Sequence, residues 1–479
     1  MRRPELINGW RGKQQPQVAS RPLASIITSL AVLVGDASYR CQTYARAERA
    51  RILRILTAFL FLLSLPLPPV SANDFPTAAP EQHGFNSERL RNLSGHFQSR
   101  VDEGELAGIV VLISRNGEII HFDALGYQDA LNEIPMETDT VFRIYSMTKP
   151  IASTALMMLY QEGKFQLTDP LSKYIPEFEG LTVLRDPEAG LTDVVALRSE
   201  PTIQDALRHT SGFSHGLGTS AYDQAFVASG IFRPDTSLEE MMTLLSGLPL
   251  MNQPGEQWRY GVGHDIALRL VEIMSGMPAD EYLEARLFQP LGMDDTAYWI
   301  GPSDQHRLGP VHYLSETGGL LPISEHHGAP EGGVLVQPWS VNSYGFDQEF
   351  KGGSFGLLST AEDYWRFGQA ILNAGELDGE RILAPSITRL MTRNHLAGEQ
   401  QFLDGAGMGL GFGIVQDPAQ FGFPYSEGTL FWGGAASTAF WIDPEEQLVV
   451  VAMSQHMGVP NTDLLRGELA SLVYAALEQ

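Results

Sequence analysis

The run Tyr145-Ser146-Met147-Thr148-Lys149-Pro150-Ile151-Ala152-Ser153-Thr154-Ala155-Leu156-Met157-Met158-Leu159-Tyr160 is the most informative in the chain. From Ile151 onward it is apolar nearly all round, which predicts a buried helix rather than a surface one. Gly163 is placed to close that helix as its C-terminal cap. Pro150 fits only in or near the first turn, where backbone N–H groups lack intrahelical acceptors. Ser146 therefore stands at a helix N-terminus, and Lys149 follows on the same face three residues later.

That pair is a candidate for nucleophilic chemistry. A serine hydroxyl attacks poorly until a base removes its proton. A lysine can be that base only where burial or positive potential leaves some amine uncharged near neutral pH. The apolar helix offers desolvation and its N-terminus offers potential. Spacing alone is weak evidence, and the plain alternative is an N-cap serine with a lysine on a solvated first turn.

The flanking sequence sets this helix in an α/β protein. Residues 87–101 repeat Leu90, Leu93, Phe97 and Val101 at helical spacing. Two β-rich runs follow, 107–113 and 118–125, separated by Arg115-Asn116-Gly117, and Asn-Gly tolerates the positive φ of a tight hairpin. Towards the other end, 411–415, 429–432, 437–442 and 448–454 read as short strands. The last two are joined by Asp443-Pro444-Glu445-Glu446, and 462–477 places Leu465, Leu469, Leu472, Val473 and Ala476 on one helical face. Between the two ends lie helical segments at 237–245, 264–275 and 279–287 among loops rich in Gly and Pro. The economical fold is α/β of the α+β type: one antiparallel sheet built from both chain ends, flanked by helices, with a mostly helical domain inserted. The expected sheet domain is 73–165 plus 346–479, and the expected insertion is 166–345.

Composition narrows the function. The 479 residues allow two or three domains at roughly 100–200 residues each. With 43% apolar and 19% charged residues, fibrous and disordered classes are excluded. A formal net charge of −25 with no offsetting basic patch excludes nucleic acid as a partner. Residues 1–72 hold ten Lys and Arg against three Asp and Glu, so the remaining body, with 22 against 54, is strongly acidic. Arg46, Arg49, Arg51 and Arg54 precede the apolar run 55–65 and the small residues Ser71-Ala72. This is the pattern of a signal peptide cleaved near Ala72, implying a secreted or periplasmic protein with no stable membrane span. The alternative is an N-terminal membrane anchor, to which the apolar run 23–35 would add. The sole cysteine, Cys41, lies in this part, so the body has neither a disulfide nor a thiol for catalysis.

Two further segments carry candidate chemistry. In Pro254-Gly255-Glu256-Gln257-Trp258-Arg259-Tyr260-Gly261-Val262-Gly263-His264, a Pro-Gly turn leads into a helix with Ile266, Leu270, Ile273 and Met274 on one face. Tyr260 would sit just before that helix. A phenol held near a lysine ammonium has its pKa lowered and can shuttle a proton; taken by itself the residue reads as a packing tyrosine. In Phe431-Trp432-Gly433-Gly434-Ala435-Ala436-Ser437, two glycines let the backbone approach a ligand, and an adjacent N–H can serve an oxyanion hole. An ordinary Gly-rich turn is the alternative.

Taken together, the order and spacing of these segments resemble the serine β-lactamase and penicillin-binding superfamily, and within it the β-lactamase-like carboxylesterases called family VIII. The likeness runs from about Phe85 to the C-terminus. Ser146-Met147-Thr148-Lys149 looks like the Ser-x-x-Lys motif, which implies Ser146 as nucleophile and Lys149 as its base. Tyr260-Gly261-Val262 lies where the superfamily has Tyr-x-Asn or Tyr-x-Ser, implying Tyr260 as second proton carrier. Trp432-Gly433-Gly434 lies where lactamases have Lys-Thr-Gly and these esterases often have Trp-Gly-Gly. The resemblance also implies an oxyanion hole from the N–H groups of Ser146 and Ala435. Leu207-Arg208-His209-Thr210-Ser211-Gly212 and Gly356-Leu357-Leu358-Ser359-Thr360-Ala361-Glu362-Asp363 look like structural signatures of the superfamily.

The departures bear on substrate. An indole at 432 replaces the lysine that neutralises a lactam carboxylate, and Val262 offers no amide or hydroxyl to a lactam side chain. Losing a charge-assisted contact costs about 1.5–3 kcal/mol, tenfold or more in affinity. The expected activity is therefore a serine carboxylesterase acting on small neutral esters through an acyl-enzyme, with no cofactor and no metal. A β-lactamase or D-amino-acid peptidase is the competing enzyme reading, and a non-catalytic cell-wall peptide binder is the competing non-enzyme. Gly352-Gly353-Ser354-Phe355-Gly356 fits the Gly-x-Ser-x-Gly elbow of α/β-hydrolases, but Asp347-Gln348-Glu349-Phe350-Lys351 is not the buried strand that elbow requires. The His326-His327 pair has neither ligand spacing nor a nearby carboxylate motif for a metal.

Overall fold

The computed structural model describes residues 76–478 apart from 189, 219, 316–317, 324–343, 399 and 459–461. The segment read as a signal peptide, Cys41 and the His326-His327 pair lie outside the described residues.

Eight strands form the main sheet: β1 (Gly108–Arg115), β2 (Glu118–Asp129), β3 (Ile134–Pro135), β4 (Ala406–Met408), β5 (Gly413–Val415), β6 (Leu430–Gly434), β7 (Thr438–Asp443) and β8 (Leu448–Ser454). Their spatial order is β4-β5-β6-β7-β8-β1-β2-β3, antiparallel at every step. The two chain ends meet at the β8–β1 seam, in register from Ile109 opposite Ser454 to Arg115 opposite Leu448. Both strands are continuous apolar runs because the sheet is covered on both faces. The β1–β2 connection is the expected two-residue turn, with Asn116 at φ 55° and Gly117 at φ 83°.

Five helices concern the argument: α1 (Ser87–Asp102), α2 (Thr148–Gln161), α3 (Gly263–Ser275), α4 (Ala361–Leu372) and α5 (Thr462–Ala476). On one face of the sheet, Ile109, Val111 and Ile113 join Leu90, Leu93 and Phe97 of α1 and Leu465, Leu469 and Val473 of α5. On the other, Val110 and Leu112 join the cores of α2 and α4. Each such side chain contributes about 1.5–3 kcal/mol by leaving water. Alternation along β1 thus holds the two helical layers to one sheet.

Three expectations need correction. The strand expected over 411–415 begins only at Gly413, because Gly411 adopts φ 96° where an added Cβ would meet the Ser153 hydroxyl at 2.4 Å. Ile273 is not on the buried face of α3: it is 38% exposed, while Ile266, Ala267, Leu270 and Val271 are buried. The helix expected over 279–287 is interrupted, running Ala279–Leu283, then a π turn Glu284–Phe288 and a last turn Gln289–Leu291, stopped by Gly292 at φ 65°.

Candidate active site

Ser146 lies on a 3-10 turn, Tyr145–Met147, that runs directly into α2. Residues Thr148 to Leu159 are all buried, Lys149 among them, and Gly163 ends the helix at φ 74°. Tyr145 adopts φ 43°, a conformation costly for a bulky residue that persists only where the surroundings impose it. They do so from the Gly356-to-Asp363 segment. Phe142–Arg143 pairs antiparallel with Leu358–Ser359, the Ile144 amide donates to the Leu357 carbonyl at 3.1 Å, and Leu357 donates its amide to Thr148 Oγ1 at 3.3 Å. Thr360 caps α4 by accepting the Asp363 amide, and from α4 the Tyr364 hydroxyl donates to the Met147 carbonyl at 2.9 Å.

Tyr260 arrives from the other side. The Arg259 amide donates to the His209 carbonyl at 2.7 Å and the Gly261 amide to His209 Nδ1 at 3.3 Å. Gly261 must be glycine, since a Cβ there would lie 2.1 Å from the Phe213 carbonyl oxygen. The 207–212 and 260–264 segments are therefore clamped together, and the Tyr260 hydroxyl reaches Ser146 Oγ at 2.6 Å.

Lys149 Nζ stands 3.2 Å from Ser146 Oγ, donates to the Ser354 carbonyl at 2.7 Å and lies 4.5 Å from the centre of the Tyr260 ring. It is fully buried, and loss of hydration pulls its pKa down to about 7, against the opposing charge of Asp265. A free amine is therefore available near neutrality. The Tyr260 phenol goes the other way from the sequence expectation: burial raises its pKa, only partly opposed by the Ser146 hydrogen bond. Desolvation, joined by the Asp265 charge, disfavours phenolate more than the Ser146 hydrogen bond and Arg466 favour it, so Tyr260 is a neutral hydroxyl.

Beyond Phe431, β6 has no partner in β5, whose register with it stops at the Gly413–Phe431 pair. The stretch Trp432-Gly433-Gly434 thus lies past the β5 pairing, against the turn that carries Ser146. A Cβ on Gly434 would lie 2.4 Å from the Ile144 carbonyl, so the close approach that glycine permits here is between this strand end and the turn leading to Ser146. Ala435 follows directly. Trp432 stacks at 6.3 Å on Tyr260 and at 5.6 Å on Phe402, forming an aromatic wall.

Residues 93–475 match the family described as Beta-lactamase. The chain belongs to the β-lactamase family. It is 33% identical to Protein Rv1367c of Mycobacterium tuberculosis over 385 residues, 76% of this chain and 90% of that protein. To Esterase EstB of Burkholderia gladioli it is 31% identical over 391 residues, 78% of this chain and 93% of that protein. Among solved structures, EstCE1, described as a hydrolase with promiscuous acyltransferase activity, superposes with TM-score 0.70 at 26% identity, covering 81% of this chain and 99% of that one. This β-lactamase-family chain is a serine hydrolase.

The alternative nucleophile, Ser354, is fully buried; its hydroxyl donates to Asp265 Oδ2 and its amide to Asp265 Oδ1 at 3.0 Å. No strand runs directly into it and no helix opens directly after it, as an elbow would need. What sequence reasoning missed is that Ser354 belongs to the site through its carbonyl, and Asp265 through Ser354. A carboxylate on the buried face of α3 beside Ile266 was the available signal. Two buried imidazoles, His209 and His215, lie 4.9 Å and 5.5 Å from the Tyr260 ring, and a third, His264, lies 4.9 Å from that of His209. Val262 is buried, and no cluster of metal-ligand side chains occurs among the described residues.

Proposed function

We propose that this β-lactamase-family hydrolase is a carboxylesterase that cleaves small neutral esters through an acyl-enzyme on Ser146. The observation that carries this is the convergence of Tyr260 and Lys149 on one serine oxygen, at 2.6 Å and 3.2 Å. Uncharged Lys149 accepts the serine proton as Ser146 Oγ bonds to the ester carbonyl carbon. The N–H groups of Ser146 and Ala435 hold the oxyanion. Collapse breaks the bond to the alcohol oxygen, which takes back a proton from the Lys149–Tyr260 pair. Water then gives up its proton to the same pair as its oxygen bonds to the acyl carbon; the acyl–Oγ bond breaks, Ser146 Oγ takes that proton back, and the acid leaves.

Esterase EstB and EstCE1 among the relatives support the ester class. The indole of Trp432 and the buried side chain of Val262 supply no charge or amide for an anionic lactam, which favours neutral substrates. A second reading, hydrolysis of β-lactams or D-amino-acid peptides, is favoured by Arg466, whose guanidinium lies behind Gly433 so closely that a Cβ there would meet Nη2 at 2.1 Å. Relative kcat/KM on p-nitrophenyl butyrate and a chromogenic cephalosporin separates the two. Faster cephalosporin turnover overturns the esterase reading, and no turnover of either by folded protein supports a binding module. Export after cleavage near Ala72 belongs to the same proposal; no helix among the described residues is long and apolar enough to cross a membrane.

A further inference from the structure

Asp265 has no part in the steps above, yet it is fully buried at the start of α3, with both carboxylate oxygens turned to Ser354. The amide and hydroxyl of one residue grip a single carboxylate, which anchors the Ser354 Cα and the peptide unit before it and leaves one backbone torsion, ψ of Ser354, to aim its carbonyl. That carbonyl is the one that receives Lys149 Nζ at 2.7 Å. Backbone close packing reinforces the arrangement, because a Cβ on Gly353 would lie 2.0 Å from the His264 carbonyl. We propose that Asp265 is a positioning residue for the reaction: it holds the Ser354 carbonyl that clamps the Lys149 amine at the Ser146 hydroxyl, and it places a buried negative charge beside that amine.

This rests on the acyl-enzyme reading of Ser146 and deepens it. A four-carbon amine stem with no acceptor to hold its end has many rotamers, and few of them point at Ser146. The carbonyl selects one. The charge has the opposite sense from desolvation: burial pulls the Lys149 amine towards neutrality and Asp265 opposes that fall, while burial in turn pushes the Asp265 carboxyl up. The other titratable groups facing this pair are Tyr260, His209, His215 and His264, whose imidazoles are kept neutral by burial, and Tyr298, whose phenol is raised with Asp265 contributing. None of these opposes the fall of the Lys149 amine; Asp265 is the group that does.

The test is Asp265→Asn, assayed as kcat/KM for p-nitrophenyl butyrate from pH 5 to 9. The amide removes the charge while keeping the shape. The expected result is a fall of at least about tenfold on the high-pH plateau, with the acid limb moved down by about one pH unit, since an amine without its neighbouring anion loses its proton more readily. A merely structural carboxylate would lower melting temperature and leave the limb in place, which overturns the proposal. Ser354→Ala, which removes one hydrogen bond and keeps the charge, covers the case in which the amide variant does not fold. It is expected to lower kcat about three- to tenfold with KM within about twofold, and unchanged kcat overturns the proposal. Wild-type burst kinetics run alongside: an absent acyl-enzyme burst sinks the underlying reading, whereas a normal burst with unmoved variants sinks the Asp265 role alone.

Discussion

The Tyr260 hydroxyl and the Ser146 hydroxyl lie 2.6 Å apart, although 114 residues separate them in the chain. Two backbone devices bring them together: the clamp of His209 on Arg259 and Gly261, and the grip of the Gly356-to-Asp363 segment on the turn before α2. Tyr260→Phe removes only the oxygen. It should lower kcat by about 10²–10³-fold with KM changed less than about threefold, as expected for a proton carrier used in the transition state. Steady-state kinetics check this, and an unchanged kcat would make Tyr260 a packing residue.

The Lys149 amine loses its proton at about 7, so activity should follow its deprotonation. The proposed base works uncharged, so kcat/KM should rise with pH up to that value and fall about tenfold per unit below it. Tyr260, raised above its ordinary 10.0, adds no descending limb below pH 10. Lys149→Arg, permanently charged, should lose at least about 10³-fold at every pH. A pH–rate curve flat between 5 and 8 would remove Lys149 as the base.

How much of this was legible in the sequence follows from range. Asn116-Gly117 and the apolar run after Lys149 declare a hairpin and a buried helix through local sterics and composition, and the structure has both. The seam of β8 on β1 follows because two unbroken apolar strands need covering on both faces. Asp265 left one signal, a carboxylate on the buried face of α3, but its partner Ser354 was not legible, being 89 residues away and joined to the site through its backbone. Ile273 was misplaced because a three-residue step from Leu270 falls to one side of the buried stripe, which here runs through Ile266, Ala267, Leu270 and Val271. The direction of the Tyr260 shift required knowing how deeply its ring is buried among His209, His215 and Trp432.

Two glycines give opposite outcomes on substitution by alanine. Gly434→Ala forces a Cβ to 2.4 Å from the Ile144 carbonyl and should destabilise by about 1–3 kcal/mol while displacing the turn that carries Ser146. Gly95, within α1, has open space around its Cβ position, so Gly95→Ala should stabilise by about 0.5–1 kcal/mol with activity unchanged. Urea titrations of both distinguish the close-approach explanation from general intolerance of glycine replacement.

The three buried imidazoles His209, His215 and His264 should set acid stability. Burial lowers the pKa of His209, His215 and His264, that of His215 to about 3, from an unfolded value of 6.5. Below 6.5 the unfolded chain binds protons that the folded one refuses, so stability present above that pH is lost as pH falls. Each histidine costs about 1.4 kcal/mol per pH unit until its folded pKa is reached. Urea midpoints should drop steeply between pH 7 and pH 5; equal midpoints would mean the cluster is hydrated and titrates normally.

The central claim is that Ser146 is the acylated residue. Intact mass spectrometry with peptide mapping after fluorophosphonate treatment tests it in one measurement. The expected result is one adduct, on Ser146, retained by Ser354→Ala and abolished by Ser146→Ala. An adduct on Ser354, or none on folded protein, would contradict the mechanism.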